Sequence, residues 1–599
     1  MRKRKRQKPD QVELAPTCLK FEQCRSKNAP SSGDAKASTP KHNDAKKALD
    51  LTFIDSVPED LHPYHIEMEP STLFYKSFFR SYVQQKQNNA PNVGKSSEFA
   101  QARSTVELRL MQRYAHESVT QPQGRSGSAM VQEEPVERIP ADSSDSHFVH
   151  ALPDLPTQRN DSLCGEQLRR ETGALNSLYY VFYESAVASH SSTDQPPVIL
   201  WLSGGPGCSG LVAALFELGP CTFDDETNTL TKNPYAWTEV AHVIFVDQPR
   251  GTGFSTASPF TDEGPWTEHQ AMVNLSKFVE LFFQRHPELD QHDFYIFGES
   301  FGGHYVPDLG AYMIQTAPGV WAHRLKGVGI GNGVVSPTAY LQTYLKFGSA
   351  VRYGADVLGV FKNQLQEAQK PALDAIAKCK EKKEQTGGQL RGTEDNKSQS
   401  EYKAACHDAA CKLSGFYGDA VSGVLAAGLN MYDSRRKCHR EDWTGLCYRL
   451  SRLETLVNQP HALDYFGVGG QKWQLCNPNV NMELQDVDVL EESQENVALL
   501  LDNGVRVLVY AGDADSMAPW EMQERWTHDM QWKGQQEFIH NSTDAFQVDG
   551  SAVGTIQTAH GLSLVRVFEA GHMVPHDQPK TALELVRIFL QRKQHDVFT

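Results

Sequence analysis

The stretch Phe294-Tyr-Ile-Phe-Gly-Glu-Ser-Phe-Gly302 places a serine, Ser300, between a short apolar run and a helical pattern. The run Phe294–Phe297 has the length of a buried strand, and Gly303–Gln315 has the spacing of a helix. The pentapeptide between them matches G-x-S-x-G, in which the glycines permit a sharp turn that exposes the serine hydroxyl. The helix start also supplies free N–H groups for a developing oxyanion. Because the pentapeptide alone recurs in unrelated proteins, it makes Ser300 only a candidate nucleophile.

Two later loops carry the partners that a nucleophilic serine needs. Gly512-Asp-Ala-Asp515 follows the strand-like run Val505–Tyr510, and Ala570-Gly-His-Met-Val-Pro575 follows the run Leu564–Phe568. The chain order Ser, Asp, His is the one expected of an α/β-hydrolase. Because catalytic groups gather at the carboxyl ends of parallel strands, we expect the three loops to meet on one rim of a sheet.

These loops predict a Ser-His-Asp triad. Ser300 would attack a carbonyl carbon, His572 would accept the serine proton, and an aspartate would fix the tautomer and orientation of the imidazole. The residues leave both Asp513 and Asp515 open as that aspartate, since either one could instead cap a turn. The alternative for His572 is a buried histidine with a structural role.

Strand-like runs alternate with helical patterns from about residue 155 onward, which predicts an α/β fold with a mostly parallel sheet and helices on both faces. Between about residues 339 and 485 the rhythm breaks and six cysteines occur, so we predict a mainly helical cap insertion. Residues 1–150 are predicted to form a low-complexity, mostly disordered extension, which leaves 151–599 as the hydrolase domain. The other predicted elements are the strands Val198–Leu202, Val243–Val246 and Val328–Ile330 and the helices His269–Gln284 and Thr581–Gln591.

Composition excludes several classes of protein. The net charge of −16 argues against nucleic acid as a ligand, because phosphate binding needs a clustered basic face. No apolar run reaches about 18 residues, so we expect no membrane-spanning helix. The 11 cysteines lack zinc-site spacing and are more typical of disulfides, and we expect neither a metal nor another cofactor. The basic N-terminus continues into polar sequence, so no secretory signal is visible.

The sequence resembles the serine carboxypeptidase family over about residues 155–595, and the matching stretches occur in the family's order. The first 150 residues lie outside the resemblance. The matching stretches are Trp201-Leu-Ser-Gly-Gly-Pro-Gly-Cys-Ser209, Phe216-Glu-Leu-Gly-Pro220, Val246-Asp-Gln-Pro-Arg-Gly-Thr-Gly-Phe-Ser255, Phe297-Gly-Glu-Ser-Phe-Gly-Gly-His-Tyr-Val-Pro307, Gly329-Ile-Gly-Asn-Gly333, Tyr510-Ala-Gly-Asp-Ala-Asp515 and Gly571-His-Met-Val-Pro575.

The resemblance implies a reaction and its catalytic groups. The second aspartate of its loop, Asp515, would complete the triad with Ser300 and His572. The backbone amides of Gly205 and Phe301 would form the oxyanion hole. Ser300 would form an acyl-enzyme with the penultimate residue of a peptide or protein and release the C-terminal amino acid, so that peptide C-termini are the expected partners.

The resemblance also implies a site for the terminal carboxylate of the substrate, formed by Ser203, Gly204, Glu217 and Glu299. Glu217 and Glu299 would form a hydrogen-bonded pair. Two close carboxyls cannot both ionise cheaply, so the pKa of one of them rises. The protonated pair can donate a hydrogen bond to a carboxylate, and we therefore expect tighter peptide binding at acid pH. Without the resemblance, Glu217 would be interpreted as a solvated carboxylate at a helix end.

Ser203 is the main departure from the family pattern, which usually has asparagine at this position. Serine is shorter and offers a single hydroxyl donor. The alternative function is therefore a serine carboxypeptidase-like acyltransferase or esterase that uses the same triad. Related plant acyltransferases resemble this serine version of the loop, but they usually carry aspartate where this chain has Glu299.

The resemblance extends to disulfides and to the cell compartment. Cys208 and Cys476 match positions that the family joins by a disulfide, and further cysteines of the insertion would pair among themselves. A vacuolar, lysosomal or secreted location is implied, which conflicts with the missing signal because disulfides do not persist in the cytosol. Glycosylation sequons, compatible with secretion, occur at Asn160, Asn274, Asn396 and Asn541.

Overall fold

A computed structural model describes residues 150–151, 162–166, 168–187, 195–255, 267–349, 357–386, 397–438, 446–485 and 488–591. The predicted N-terminal extension lies outside these ranges apart from residue 150, so it stays a prediction. The sequons at Asn160 and Asn396 also lie outside them. Among the helices that the structure describes, none is long and apolar enough to cross a membrane.

Eleven of the described strands form one sheet, and two more form a separate hairpin. The strands are β1 (His150–Ala151), β2 (Arg170–Leu175), β3 (Leu178–Tyr183), β4 (Val198–Leu202), β5 (Cys221–Asp224), β6 (Thr229–Lys232), β7 (His242–Val246), β8 (Phe294–Glu299), β9 (Leu325–Gly331), β10 (Arg506–Gly512), β11 (Asp544–Val548), β12 (Ser551–Ala559) and β13 (Leu562–Val567).

The large sheet has a parallel centre and antiparallel flanks. Its strand order is β1-β2-β3-β7-β4-β8-β9-β10-β13-β12-β11. The neighbours from β7 to β13 in that order are parallel. Antiparallel pairs join β1, β2, β3 and β7 on one side and β13, β12 and β11 on the other. The mostly parallel sheet of an α/β-hydrolase is confirmed.

Helices cover the sheet and build the cap. They are α1 (Gly210–Val212), α2 (Glu268–Arg285), α3 (Gly302–Thr316), α4 (Pro318–Arg324), α5 (Pro337–Ser349), α6 (Lys362–Gln385), α7 (Lys397–Ala426), α8 (Leu450–Val457), α9 (Pro460–Tyr465), α10 (Pro478–Leu484), α11 (Gln494–Asp502), α12 (Trp520–Asp529), α13 (Gln535–His540), α14 (Val574–Asp577) and α15 (Pro579–Gln591). Single helical turns of other types lie at Ala213–Glu217, Trp237–Glu239, Pro287–Leu289, Gly359–Phe361 and Asp488–Leu490.

The central strands are buried on both faces. Every residue of β4, β7, β8 and β10 is buried. Helices on both sides of a parallel sheet leave its strands no polar face, so these strands appear in the sequence as continuous apolar runs. For this reason the six strands predicted from the sequence are all present. The three predicted helices are present too, and the ends of all nine elements agree with the prediction to within a few residues.

The segment predicted to be a cap insertion is mainly helical. It contains most of α5 and all of α6 to α10. Disulfides close it internally at Cys379–Cys406 and Cys438–Cys447. A third disulfide, Cys208–Cys476, ties its end to the loop after β4. The strands β4, β8, β9, β10 and β13 are parallel, so their carboxyl ends lie on the same side of the sheet. The disulfide to the loop after β4 fixes the cap on that side.

Candidate active site

Ser300 lies at the sharp turn between β8 and α3. Its backbone φ of 61° is in the left-handed region, which is unfavourable for a residue with a Cβ. Hydrogen bonds hold this conformation: its N–H donates to the Gly331 carbonyl at 3.1 Å, and its carbonyl accepts from Gly303 N at 2.9 Å and Val334 N at 2.8 Å. The turn therefore presents the serine side chain at the rim of the sheet.

The loop after β4 packs directly against this turn. A Cβ placed on Gly204 would lie 2.6 Å from both Ser300 Cβ and Phe301 N, so only glycine permits this approach. Within the part of the chain that the structure describes, the amides of Gly205 and Phe301 donate no backbone hydrogen bond. Two amides left unpaired beside a serine are the donors that an oxyanion hole requires.

His572 and Asp515 form a buried contact on the same rim. The Nδ1 atom of His572 lies 2.7 Å from Oδ2 of Asp515, and the two side chains are 2% and 0% exposed. The other ring nitrogen, Nε2, is buried and has no hydrogen-bond partner among the described residues. With its proton on Nδ1 held by the carboxylate, the imidazole offers Nε2 as the proton acceptor.

The Asp515 carboxylate is held by donors on both oxygens. Oδ1 accepts from Met517 N at 2.8 Å, and Oδ2 accepts from Ala518 N at 3.1 Å. The side-chain amide of Asn332 also donates to Oδ2, at 2.9 Å. These three donors fix the position of the carboxylate, so Oδ2 stays directed at His572 Nδ1.

Asp513 has a different role. Its Oδ2 accepts from Arg566 Nη2 at 2.8 Å, and its Oδ1 accepts from Glu569 N at 3.1 Å. These two contacts hold the start of the loop after β10 against β13 and against the turn that follows β13. Of the two aspartates that the residues left open, the structure therefore places Asp515 against the imidazole and Asp513 away from it.

Asn332 is a site residue that the sequence reasoning missed. It follows the end of β9, its φ is 37°, and its Oδ1 accepts from Gly512 N at 3.0 Å while its Nδ2 donates to Asp515. It thus connects the end of β9 to the loop after β10. A polar residue directly after a strand, within a stretch already matched to the family, was the signal available.

Glu217 and Glu299 form the expected carboxyl pair. Glu217 ends the turn Ala213–Glu217, Glu299 ends β8, and both are buried and hydrogen-bonded to each other. Burial raises the pKa of Glu217 to about 7. Burial and the neighbouring Glu217 charge raise the pKa of Glu299 further above its usual range. Glu299 therefore holds the shared proton, and Glu217 ionises first as the pH rises.

Ser203 lies beside this pair. It directly follows β4, whose residue Leu202 is in register with Gly298, so Ser203 occupies the position next to Glu299. The Ser203 hydroxyl oxygen accepts a hydrogen bond from Trp201 Nε1 at 3.1 Å. Because the oxygen is used as an acceptor, the hydroxyl proton is directed elsewhere and can be donated to a ligand.

The cap holds the loop after β4 through several contacts besides Cys208–Cys476. Asn477 N donates to the Gly207 carbonyl at 2.8 Å, and Asn481 Nδ2 donates to the Pro206 carbonyl at 3.1 Å.

Another disulfide, Cys164–Cys221, lies near buried Glu166. These three residues are the one group with metal-ligand spacing within the described ranges, but the disulfide removes the thiolates that a metal would need.

One known family covers most of this sequence. The family described as serine carboxypeptidase matches residues 167–592. The chain belongs to the serine carboxypeptidase family. Membership confirms the resemblance that the motifs carry, and it brings with it the class of hydrolase. The cysteine pairs and the α/β-hydrolase fold described above are consistent with that class.

Relatives and a solved structure agree with the family. Serine carboxypeptidase 3 of Oryza sativa is 32% identical over 425 residues, which cover 69% of this chain and 76% of the rice protein. Carboxypeptidase Y of Schizosaccharomyces pombe is 30% identical over 465 residues, 74% of this chain and 43% of that protein. A prohormone-processing carboxypeptidase from Saccharomyces cerevisiae shares the fold, with a TM-score of 0.56 and 22% identity over 73% of this chain and 89% of that one.

Proposed function

We propose that this member of the family is a serine-type carboxypeptidase that removes C-terminal residues from peptides and proteins and is favoured at acid pH. One observation carries the proposal: the buried pair Glu217–Glu299 lies beside the triad candidates. Glu299 adjoins Ser300 in the chain, and the His572 charge acts on the Glu217 carboxyl. A proton-holding pair next to a nucleophile suits a substrate whose scissile bond is one residue from a free carboxylate.

Acylation would use the triad as follows. Ser300 Oγ attacks the carbonyl carbon of the last peptide bond while its proton passes to His572 Nε2. The negative charge that develops on the carbonyl oxygen is stabilised by the amides of Gly205 and Phe301. His572 then gives its proton to the leaving nitrogen, the C–N bond breaks, and the C-terminal amino acid departs. Asp515 stabilises the imidazolium that exists between these proton transfers.

Deacylation would repeat the sequence with water in place of the amine. Water attacks the ester carbonyl of acylated Ser300 and gives a proton to His572 Nε2. Collapse of the tetrahedral intermediate breaks the bond to Ser300 Oγ, which regains its proton from His572. The products are the shortened peptide with a new carboxylate and the free enzyme.

The terminal carboxylate of the substrate would be recognised by Ser203, Gly204, Glu217 and Glu299. The Ser203 hydroxyl has its proton free for donation, and the Glu217–Glu299 pair contributes a second donor while it is protonated. When the pair ionises, its charge repels the carboxylate and removes that donor. Peptide affinity should therefore fall as the pH rises through the pKa of Glu217, about 7.

The second candidate is acyl transfer or ester hydrolysis with the same triad. Ser203 favours this candidate. Its single hydroxyl, whose oxygen already accepts from Trp201, binds a carboxylate more weakly than a side-chain amide would. Glu299 favours the peptidase, because its shared proton supplies a further donor.

The compartment and the chain organisation belong to the same proposal. Four disulfides, Cys164–Cys221, Cys208–Cys476, Cys379–Cys406 and Cys438–Cys447, lie in the described ranges. Disulfides need an oxidising environment, so we propose a vacuolar, lysosomal or extracellular place of action. We also propose that residues 151–599 form the hydrolase domain, with its cap at about 339–485, and that residues 1–150 are an extension without chemistry of its own.

A substrate panel tests the proposal. Blocked dipeptides with a free terminal carboxylate are compared with simple esters between about pH 4 and about pH 8. Release of the terminal amino acid, faster at acid pH, is the expected result. Turnover of esters without any release of terminal residues would instead favour the second candidate. Ser300→Ala should abolish both activities, and full activity in that variant would refute the role of Ser300.

A further inference from the structure

Aromatic rings from the two neighbouring strands and from α15 fill the space over β9 that its glycines leave open. Phe589 of α15 lies over Gly327, Phe297 lies over Gly329, and Tyr510 lies over Gly331. The three glycines alternate along β9 and so share one face of the sheet. The first two rings pack in the apolar core, but the third carries a hydroxyl.

Tyr510 and Glu299 occupy one row across three strands. Gly331 of β9 is in register with Glu299 of β8 on one side and with Tyr510 of β10 on the other. A Cβ on Gly331 would lie 2.6 Å from both Cζ and the hydroxyl oxygen of Tyr510. The ring tip is therefore over β9, and the hydroxyl is directed across it toward Glu299.

The Tyr510 hydroxyl is a buried donor that no acceptor satisfies among the described residues. Within the described ranges, Glu217 Oε2 and Glu299 Oε2 accept no hydrogen bond from any residue outside the pair. Buried polar atoms in folded proteins are nearly always paired, so an unpaired hydroxyl directed toward a carboxyl pair that accepts no other donor is a candidate partner of that pair. Burial, with the charges of Glu299 and Glu217, raises the pKa of Tyr510, so the hydroxyl keeps its proton and remains a donor.

We infer that Tyr510 is a positioning residue of the Glu217–Glu299 pair, whose hydroxyl stabilises the ionised pair and so sets the pH above which the pair loses its proton. The inference rests on the proposed function for its consequence in catalysis, which is the upper pH limit of carboxylate binding. A hydroxyl that donates toward a carboxylate favours its charged form, so it lowers the pH at which the pair ionises. Removing the hydroxyl should therefore raise that pH.

Other charged groups also act on the Glu217–Glu299 pair, and they are unchanged when the Tyr510 hydroxyl is removed. His572 favours ionisation of Glu217, whereas Asp515 disfavours ionisation of Glu299, and Asp577 of α14 disfavours ionisation of both. Asp577 is itself buried with a pKa of about 6. All of these stay in place when the Tyr510 hydroxyl alone is removed, so Tyr510→Phe isolates its effect.

The first measurement needs no turnover. Infrared difference spectra of Ser300→Ala protein are recorded between about pH 4 and about pH 9, and Glu299→Gln identifies the bands of the pair. Adding Tyr510→Phe should move the titration midpoint upward by about 0.5 to 1 pH unit, the change expected when one hydrogen bond to an anion is lost. Because Ser300 is absent, this result stands whether or not the protein cleaves peptides.

The second measurement uses the active enzyme. Above the wild-type midpoint, Tyr510→Phe should raise kcat/KM for a blocked dipeptide by about 3-fold to 10-fold, following the same shift in the fraction of protonated pair. A loss of packing alone would lower activity at every pH and could not produce this gain. Absence of terminal-residue release in the wild type would refute the proposed function and leave the infrared test of Tyr510 intact.

Two further variants complete the test. Tyr295→Phe removes a buried hydroxyl that lies on the same face of the sheet and is bound to Leu590 O at 3.3 Å and Arg506 Nη2 at 2.9 Å; it should leave the midpoint unchanged. Gly331→Ala displaces the Tyr510 ring tip and should shift the midpoint upward as Tyr510→Phe does. An unchanged or lowered midpoint in the Tyr510 variant, or an equal shift in the Tyr295 variant, would overturn the inference.

Discussion

Asn332 Nδ2 lies 2.9 Å from Asp515 Oδ2, the same carboxylate oxygen that contacts His572 Nδ1. The amide therefore fixes the oxygen that orients the imidazole. The contact depends on the sheet: Asn332 follows β9, Asp515 follows β10, and the two strands are parallel neighbours. Asn332 N–H also donates to the Tyr510 carbonyl at 2.9 Å, so the residue is held from both sides.

Replacing Asn332 by alanine should weaken catalysis more than folding. The Asp515 carboxylate loses one donor, and a hydrogen bond to a charged group contributes about 1.5–3 kcal/mol. If most of that loss appears when the imidazolium forms, kcat falls by about 10-fold to 100-fold with little change in KM. Single-turnover acylation of Asn332→Ala measures it. Asn503→Ala, at an exposed helix end, is the matched control, and an equal loss in both variants would contradict the assignment.

Substitutions of Asp513 and Asp515, the two aspartates of the loop after β10, should have different effects: one on stability and the other on kcat. Asp515→Asn removes the charge beside His572 and should lower kcat by about ten-thousand-fold while the protein stays folded. Asp513→Asn breaks the pair with Arg566 and should reduce the free energy of unfolding by about 1–3 kcal/mol with kcat retained in the folded fraction. Urea denaturation and kcat at saturating substrate distinguish them. Similar kcat values in the two variants would exclude Asp515 as the acid of the triad.

Glu299→Gln should flatten the acid preference toward peptides. In the wild type, the raised pKa values mean that the pair is protonated at low pH and ionises as the pH passes about 7, so kcat/KM for a blocked dipeptide falls there. The glutamine amide remains a donor at every pH, and the fall should be shallower. The measurement is kcat/KM across the pH range.

An ester without a free carboxylate controls for this change. Its pH profile should be the same in the wild type and in Glu299→Gln, since nothing in such a substrate contacts the pair as an anion. A dipeptide profile unchanged by Glu299→Gln would show that the proton of the pair does not govern carboxylate binding.

The sequence predicts the centre of the sheet better than its edges, for a physical reason. Central parallel strands are buried on both faces and appear as unbroken apolar runs, such as Val-Ile-Leu-Trp-Leu in β4. The edge strands β11 and β12 are half exposed, and their polar residues interrupt the apolar pattern. β2 also begins with Arg170-Glu-Thr172, which has no apolar residue. Apolar runs alone therefore do not find β2, β11 and β12. The antiparallel strand β3 is different, because Leu178–Tyr183 is an unbroken buried run that the sequence analysis missed.

Contacts across strands are the other part that the sequence does not contain. Ser300 and His572 follow from a motif and from chain order, but the role of Asn332 depends on which strands are neighbours. The relation between Tyr510 and Glu299 requires the register of three strands and the absence of a side chain at Gly331. Strand order and register come from tertiary packing, and a single sequence specifies them only through the whole fold.

A second set of acids, one buried and two half-buried, lies beneath the nucleophile turn. Glu268, Asp308 and Asp488 surround His304, which stacks on Phe301 with ring centroids 4.5 Å apart. Glu268 Oε2 lies 3.4 Å from His304 Nδ1, and Glu268 N donates to Asp488 at 2.9 Å. We call Glu268, Asp308 and Asp488 the second acid cluster. Burial raises the pKa of Asp308 to about 7 and of Asp488 to about 6, and it raises the pKa of Glu268 well above its usual value.

The sign of the resulting pH dependence follows from these shifts. A carboxyl whose pKa is higher in the folded than in the unfolded protein binds its proton more tightly when folded. Its stabilising effect is complete below the unfolded value, near 4, and is lost as the pH rises through the folded value, about 6 to 7 for Asp488 and Asp308. Burial lowers the pKa of His304, which opposes this trend only where the histidine of the unfolded chain is charged.

Glu268→Gln should therefore make the free energy of unfolding less dependent on a rise in pH toward neutrality. Between about pH 5 and about pH 8 the wild type should lose about 2 kcal/mol or more of its free energy of unfolding, since one pKa unit corresponds to about 1.4 kcal/mol. Glutamine resembles the protonated acid in shape and cannot ionise, so the variant should lose about 1 kcal/mol less. Urea denaturation at the two pH values measures the difference. Glu280→Gln, at an exposed site paired with Lys277, is the control and should follow the wild type. If the Glu268 variant loses as much free energy of unfolding as the wild type, the second acid cluster does not cause the pH dependence.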